Sequence, residues 1–283
     1  MNLPPADWPL DEALVSALVT EQAPQHAGPV RRLGRGWDNE VFLVGQAHVA
    51  RLPRRAPGVP LLRNEHRWLG ELPPLPIPIP SLVHRGQPSE RFRHPWSLCR
   101  FHPGERVDDR PLDRSAAVAM GSFLAALHHP APPDAPGNDA RAIPLEERTA
   151  GFERDLVALG SLGRGLQDHW SRLRRLPPSA DRVWLHGDLH PGNVLHQDGA
   201  VTAIIDFGDL CAGDRAVDLS FGWMAFGPQE RGVFFDHAGA GPLDRERSRG
   251  WALALAATYV AFFEPGPFRA MGERTLQQIR VPS

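Results

Sequence analysis

Residues 183–220 read VWLHGDLHPGNVLHQDGAVTAIIDFGDLCAGDRAVDLS, and no other segment of the chain carries as much placed chemistry. Two short apolar runs, 183–185 and 201–205, each deliver a carboxylate at or just past their ends, as strands feeding loops do. The first carboxylate is Asp188, five residues before Asn193; the second is Asp206, thirteen residues after Asn193 and followed by Phe207-Gly208. An Asp, an Asn and a second Asp held by a loop and a hairpin are the set that metal-dependent phosphoryl transfer requires. One carboxylate takes the proton of an attacking hydroxyl, while the amide and the other carboxylate hold magnesium against nucleotide phosphates.

The order H-x-D-x-x-x-x-N followed by D-F-G resembles the protein-kinase-like superfamily, and HGDLHPGNVL with GDRAVDL resembles the aminoglycoside phosphotransferase family in particular. That resemblance covers nearly the whole chain. It implies an α+β, bilobal protein-kinase-like fold, with a small antiparallel-sheet N-terminal lobe (1–103, including a hinge) and a larger, mainly helical C-terminal lobe (104–283). It implies Asp188 as the base, Asn193 and Asp206 as Mg²⁺ ligands, and ATP or GTP as co-substrate. The acceptor would be a hydroxyl of a small molecule, antibiotic-like (aminoglycoside or macrolide) or metabolite. The competing view, a calcium or hydrogen-bonded loop assembled from common turn residues, predicts one local cluster and none of the upstream features.

Those features arrive in kinase-like order. Residues 9–22 show helical spacing, and 30–33, 40–44 and 48–52 are strand-like runs separated by glycine-bearing turns. Gly34 and Gly36 fall in the first turn, where missing side chains let a backbone approach phosphates. Arg51 ends the third run. Kinase-like proteins place a phosphate-binding lysine there, and this chain contains no lysine at all; arginine keeps the charge with a planar, forked geometry. Arg54 and Arg55 read as a solvated turn, with phosphate contact as the alternative. A helix over 59–72 carries Glu65, the candidate partner of Arg51. The proline-rich stretch 72–80 must be extended, and a strand over 81–86 follows it. By resemblance the strand over 94–103 is the hinge, with backbone groups of Arg100 and His102 meeting a purine.

The remaining segments read more plainly. A core helix is expected over 112–129, and adjacent His128 and His129 point apart rather than forming a metal pair. Charged helices fill 144–176, where Glu146, Glu147, Glu153 and Asp155 are either an acidic wall for a cationic acceptor or a solvated face. Helices are expected over 214–226, 251–263 and 267–279, with Asp218 anchoring the catalytic loop through backbone amides. His186 is read as a loop-fixing partner, and His190 as touching the γ-phosphate or facing solvent.

Composition narrows the class. The formal charge of −2 and pI near 6.7 give no basic excess for nucleic acid or a membrane surface, and no apolar run reaches the roughly 18 residues of a membrane helix. Cys99 and Cys211 lack metal or redox spacing and read as buried, reduced thiols of a cytoplasmic protein. Two other functional readings stay open: a catalytically inactive nucleotide sensor or scaffold of the same fold, motivated by the absent lysine, and a protein kinase, which the short interval between Asp206 and Asp218 leaves without a peptide platform.

Overall fold

The computed structural model describes residues 3–107 and 111–280. Asp11 accepts the Leu14 N–H at 2.7 Å and caps the first helix, α1 (Glu12–Gln22), which starts later than the apolar spacing suggests because the cap fixes its origin. Strands β1 (Val30–Arg35), β2 (Asn39–Val44) and β3 (His48–Pro53) form the expected antiparallel meander. Helix α2 (Gly58–Trp68) and strands β4 (Leu82–Gly86) and β5 (Trp96–Arg100) complete a five-stranded sheet of order β1-β2-β3-β5-β4. Val15, Leu18 and Val19 of α1 pack on Phe42, Leu52, Trp96 and Leu98 of that sheet, which makes a small core of its own.

The lower part of the chain has β6 (Glu105–Arg106), α3 (Arg114–Leu127), α4 (Thr149–Leu159) and α5 (Leu166–Leu173), then β7 (Val183–Leu185), β8 (Val194–Gln197), β9 (Ala200–Ile204) and β10 (Cys211–Gly213). It closes with α6 (Ala216–Leu219), α7 (Phe221–Ala225), α8 (Pro228–His237), α9 (Pro242–Phe262) and α10 (Pro267–Arg280). Asp198 and Gly199, at φ 52° and 85°, turn β8 into β9 through the Asp-Gly pair that tight hairpins favour. β7 and β10 pair antiparallel, Leu185 opposite Cys211. These two small ladders hold the ends of the catalytic segment, and α9 runs beneath them against α4, α6 and α10.

α2 ties the two halves together. Its buried Trp68 joins the larger core, with its ring 5.5 Å from Trp184, and Asn64 donates to the Leu210 carbonyl at 2.7 Å. Residues 72–80 form neither helix nor strand and bend at 72 and 76–77, and the Pro78 carbonyl accepts the Ile204 N–H at 3.0 Å.

Two helical expectations need correction, and one helix had none. The single helix over 214–226 is two, because Ser220 Oγ donates to the Val217 carbonyl at 2.6 Å and its N–H is shared between Ala216 and Val217, a tightened turn that breaks the register. α9 begins at Pro242, nine residues before the apolar run at 251; its first turns bury Arg247, which pairs with Asp214 (2.7 Å) and Asp244 (2.6 Å), so apolar periodicity gives no sign of them. α8 has no counterpart in the sequence reading, its apolar side chains apart from Pro228 being bunched at Val233, Phe234 and Phe235 rather than spaced along a helical stripe.

Candidate active site

β7 ends at Leu185, and the chain turns at once into the loop that presents Asp188. Asp218, fully buried, accepts the His186 N–H at 2.8 Å and the Gly187 N–H at 3.0 Å. Gly187 sits at φ 81°, and a Cβ there would lie 2.2 Å from the Asp209 carbonyl oxygen, so both conformation and space require glycine. His186 is locked as one tautomer: Nδ1 accepts the Asp188 N–H at 3.2 Å, so Nε2 carries the proton and donates to the Ile205 carbonyl at 3.0 Å. Asn193 Nδ2 donates to the Asp188 carbonyl at 2.9 Å. One carboxylate, one imidazole and one amide therefore hold the backbone on either side of Asp188.

The side chain of Asp188 has its own partners. Arg141 Nη2 donates to Oδ1 at 2.6 Å, and His190 Nε2 lies 3.6 Å from Oδ2. Burial works to raise the carboxyl's pKa, but Arg141 and then His190 outweigh it and hold the group well below the usual carboxylate range. His190 does not face solvent: it is buried, Nδ1 has no partner among the described residues, and its ring meets Phe268 edge-on at 5.0 Å.

Opposite this loop, Arg51 at the end of β3 donates to Glu65 of α2 through Nη1 and reaches Asp206 Oδ1 with Nη2 at 2.9 Å. Glu65 is fully buried. Desolvation disfavours a charged guanidinium, yet Glu65 and Asp206 more than offset it and hold Arg51 firmly charged. Asp206 stands at φ 69°, a left-handed conformation unusual for a residue with a side chain, and its carboxylate is half exposed. Arg51, Glu65 and Asp206 thus form one chain of charge from the sheet to the second hairpin.

Between them lies a cleft of about 490 Å³ lined by Gly34, Gly36, Arg51, Cys99, Arg100, His102 and Asp206. Gly34, expected in the first turn, lies instead within β1 opposite Val41, and only Gly36 falls in the turn; a Cβ at Gly34 would meet no protein atom within 4 Å, so the cleft roof is open there. Arg54, expected on a solvated turn, is buried and donates to the Gly36 carbonyl at 3.3 Å; Arg55 pairs with Asp38 at 3.3 Å. Both brace the glycine turn. In the hinge segment the Arg100 N–H is taken by the Ser81 carbonyl (2.9 Å), whereas no hydrogen bond among the described residues takes the His102 N–H; the His102 ring meets the Ile79 carbonyl at 3.2 Å. Both thiols are buried and free, and burial pushes Cys99 up to about 12.

The donors suit magnesium. Asp206 and Asn193 offer a carboxylate and an amide oxygen, hard ligands for a cation that keeps waters and shares phosphate oxygens, and the Asn193 amide nitrogen is already turned to Asp188. No cluster of three or more His, Cys, Asp or Glu among the described residues could hold a metal without such shared ligands.

Sequence reasoning missed Arg141. It lies in the proline- and glycine-rich loop before α4, where Asn138 Oδ1 caps the turn by accepting the Ala140 and Arg141 N–H groups and Asn138 Nδ2 donates to Asp209 at 2.8 Å. The Asn-Asp turn signal at 138–139 was the only hint. The acidic wall is not assembled: Glu146 pairs outward with Arg174 at 2.8 Å, and Asp155 is buried against Arg154 and Thr258.

The profile of the phosphotransferase enzyme family matches residues 29–252. The aminoglycoside 3'-phosphotransferase of Streptomyces fradiae is 30% identical over 194 residues, 60% of this chain and 70% of that one. The GDP complex of aminoglycoside 2'-phosphotransferase-IIIa superposes with a TM-score of 0.73 at 18% identity, over 95% of this chain and 98% of that one. The apoenzyme of a macrolide 2'-phosphotransferase from Brachybacterium faecium gives 0.62 at 20% identity, over 96% and 99%. At such identities these two likenesses establish the fold, the bilobal kinase-like one.

Proposed function

The chain belongs to the phosphotransferase enzyme family and is a phosphotransferase with an alcohol group as acceptor, and we propose that it moves the γ-phosphoryl group of ATP or GTP onto a small-molecule hydroxyl by means of Asp188, Asn193, Asp206, Arg51 and Glu65. The observation that carries this reading is the Arg51 bridge, which joins β3, Glu65 and Asp206 across one cleft. A nucleotide in the cleft would sit with its base against the hinge segment near Arg100 and His102 and its phosphates beneath Gly34 and Gly36. Residue 103 is proposed as the division between the lobes, and the cytoplasm, which holds the nucleotide pool, as the site of action.

Arg51 binds α- and β-phosphate oxygens with its fork, oriented by Glu65. Mg²⁺ would be held by Asn193 and Asp206 and would neutralise charge on the β- and γ-phosphates. Asp188 orients the acceptor hydroxyl; its oxygen attacks the γ-phosphorus, the bond to the bridging oxygen breaks, and the proton passes late to Asp188, so a strongly acidic carboxyl suffices. The sensor alternative arose from the missing lysine, and Arg51 supplies a charged replacement at that position. Support also comes from the curated relative and the fold neighbours, which are named for aminoglycoside and macrolide phosphorylation. The test is a thermal shift with ATP and GTP, each with and without Mg²⁺, beside mass detection of phosphorylated product. Mg²⁺-dependent stabilisation and turnover are expected; nucleotide binding in neither condition refutes the reading.

A further inference from the structure

Resting on the phosphotransferase reading, we propose that the acceptor is a hydroxylated carboxylate with a flat apolar body, and that its carboxylate draws Arg141 away from Asp188. Two sets of contacts on the acceptor side of Asp188 carry this. The first is an arc of rings: Trp37 of the glycine turn lies 6.4 Å from Phe263, Phe263 lies 5.2 Å from Phe268, and Phe268 meets His190 at 5.0 Å. Tyr259 backs the arc 5.5 Å from both phenylalanines. Trp37 is exposed and the phenylalanines half-buried, so the arc offers ring faces to a flat apolar ligand beside the base.

The second set is cationic. Arg141 occupies Asp188 Oδ1, one of the two oxygens able to take the acceptor's hydroxyl. Arg148 stands close enough for its charge to be opposed by Arg141; its guanidinium lies 5.7 Å from the Trp251 ring, but among the described residues it forms no ion pair, its Nε is buried without a partner, and its only side-chain hydrogen bond is a 3.4 Å contact to the Ala140 carbonyl. Asp155, whose charge reaches Arg148, is committed to Arg154 and Thr258, Asp209 to Asn138 and Asp206 to Arg51. A polycation would meet two guanidinium groups there, whereas a carboxylate would pair with both. When Arg141 turns to the acceptor's carboxylate, Asp188 Oδ1 is released to the neighbouring hydroxyl. The step then balances: the hydroxyl oxygen bonds to the γ-phosphorus, the proton moves to Asp188, and the bridging oxygen leaves with its electron pair as the nucleoside diphosphate.

The probes are 3-phenyllactate, its methyl ester and kanamycin, titrated calorimetrically into protein holding Mg²⁺ and a non-hydrolysable ATP analogue. Phenyllactate is expected to bind at least about tenfold more tightly than the ester, the loss of roughly one charge-assisted hydrogen bond, and kanamycin more weakly than either. Arg148→Gln should weaken phenyllactate severalfold and leave the ester's affinity unchanged, Arg141 still pairing with the acid, while the exposed control Glu147→Gln leaves both unchanged; an acid affinity that Arg148→Gln does not move also overturns the proposal. Equal affinity for acid and ester, preference for kanamycin, or binding of none of the three while the nucleotide analogue binds would overturn the proposal. Failure of the nucleotide analogue itself to bind removes the phosphotransferase reading, and this one with it.

Discussion

Arg51→Met isolates the buried half of the charge chain. The substitution keeps most of the side chain's apolar length and removes the only partner that Glu65 Oε1 has among the described residues. Glu65 Oε2 has none among the described residues. Deleting one member of a buried pair costs about 3–5 kcal/mol, because the other charge is left without compensation. Against a total stability of about 5–15 kcal/mol that is a large fraction. Glu65 can escape by taking up a proton. Its folded pKa is already raised by burial, with Arg51 opposing that rise, so losing Arg51 raises it further. A carboxyl whose folded pKa lies above its unfolded value supports folding at low pH and loses that support as pH rises through the folded value. The deficit of Arg51→Met relative to wild type should therefore be small near pH 5 and grow toward pH 8. Adding Glu65→Leu removes the stranded charge and should restore most of the loss, since apolar replacement of a buried pair is often neutral. Asp206→Asn should move stability little, because the Asp206 carboxylate is half exposed and its contact is screened. Urea unfolding followed by fluorescence of the 8 tryptophans reads all four proteins. A deficit independent of pH, or one that Glu65→Leu merely adds to, would refute the buried pairing.

Asp218→Ala should cost about 3–5 kcal/mol, the scale of two charge-assisted hydrogen bonds to buried N–H groups, and urea midpoints will show it. Gly187→Ala should lose activity at least in proportion to stability, since the added methyl meets the Asp209 carbonyl at 2.2 Å; an alanine variant with wild-type turnover contradicts the loop geometry. His66, 2.7 Å from Ser97 Oγ, has its pKa lowered to about 4, first by burial and then by Arg85 and Arg51. Stability from its neutral form is full above the unfolded value near 6.5 and lost as pH falls toward 4, by about 1–2 kcal/mol once its partial exposure is allowed for. His66→Gln should flatten that part of the pH–stability curve.

Much of this molecule is legible in the sequence because its signals are local. The sheet meander follows from three strand-like runs with glycine-bearing turns between them, and the non-helical connector after α2 from its prolines. Residues 155 positions apart, Arg51 and Asp206, meet because the motif order fixes the lobes. What escaped is set by pairing across distance. The start of α9 looks like a charged loop until Asp214, 33 residues upstream of Arg247, is brought beside it. Arg141 looks like one of many arginines until the Asn138 turn aims it at Asp188, 47 residues away. Arg54 reads as solvated because nothing nearby in sequence says that the Gly36 carbonyl will sit over it.

Asp188 stands at the centre of the account, and one measurement addresses it: phosphoryl transfer by Asp188→Asn, with an acceptor that the wild-type protein phosphorylates. The amide preserves size and the backbone anchors of the loop, so nucleotide affinity should change little; the unfolding midpoint should fall because the ion pair with Arg141 is lost, while turnover falls by about 10²–10⁴-fold, the usual worth of a positioned general base. Turnover within a few-fold of wild type, with nucleotide binding intact, would show that Asp188 does not take the acceptor's proton.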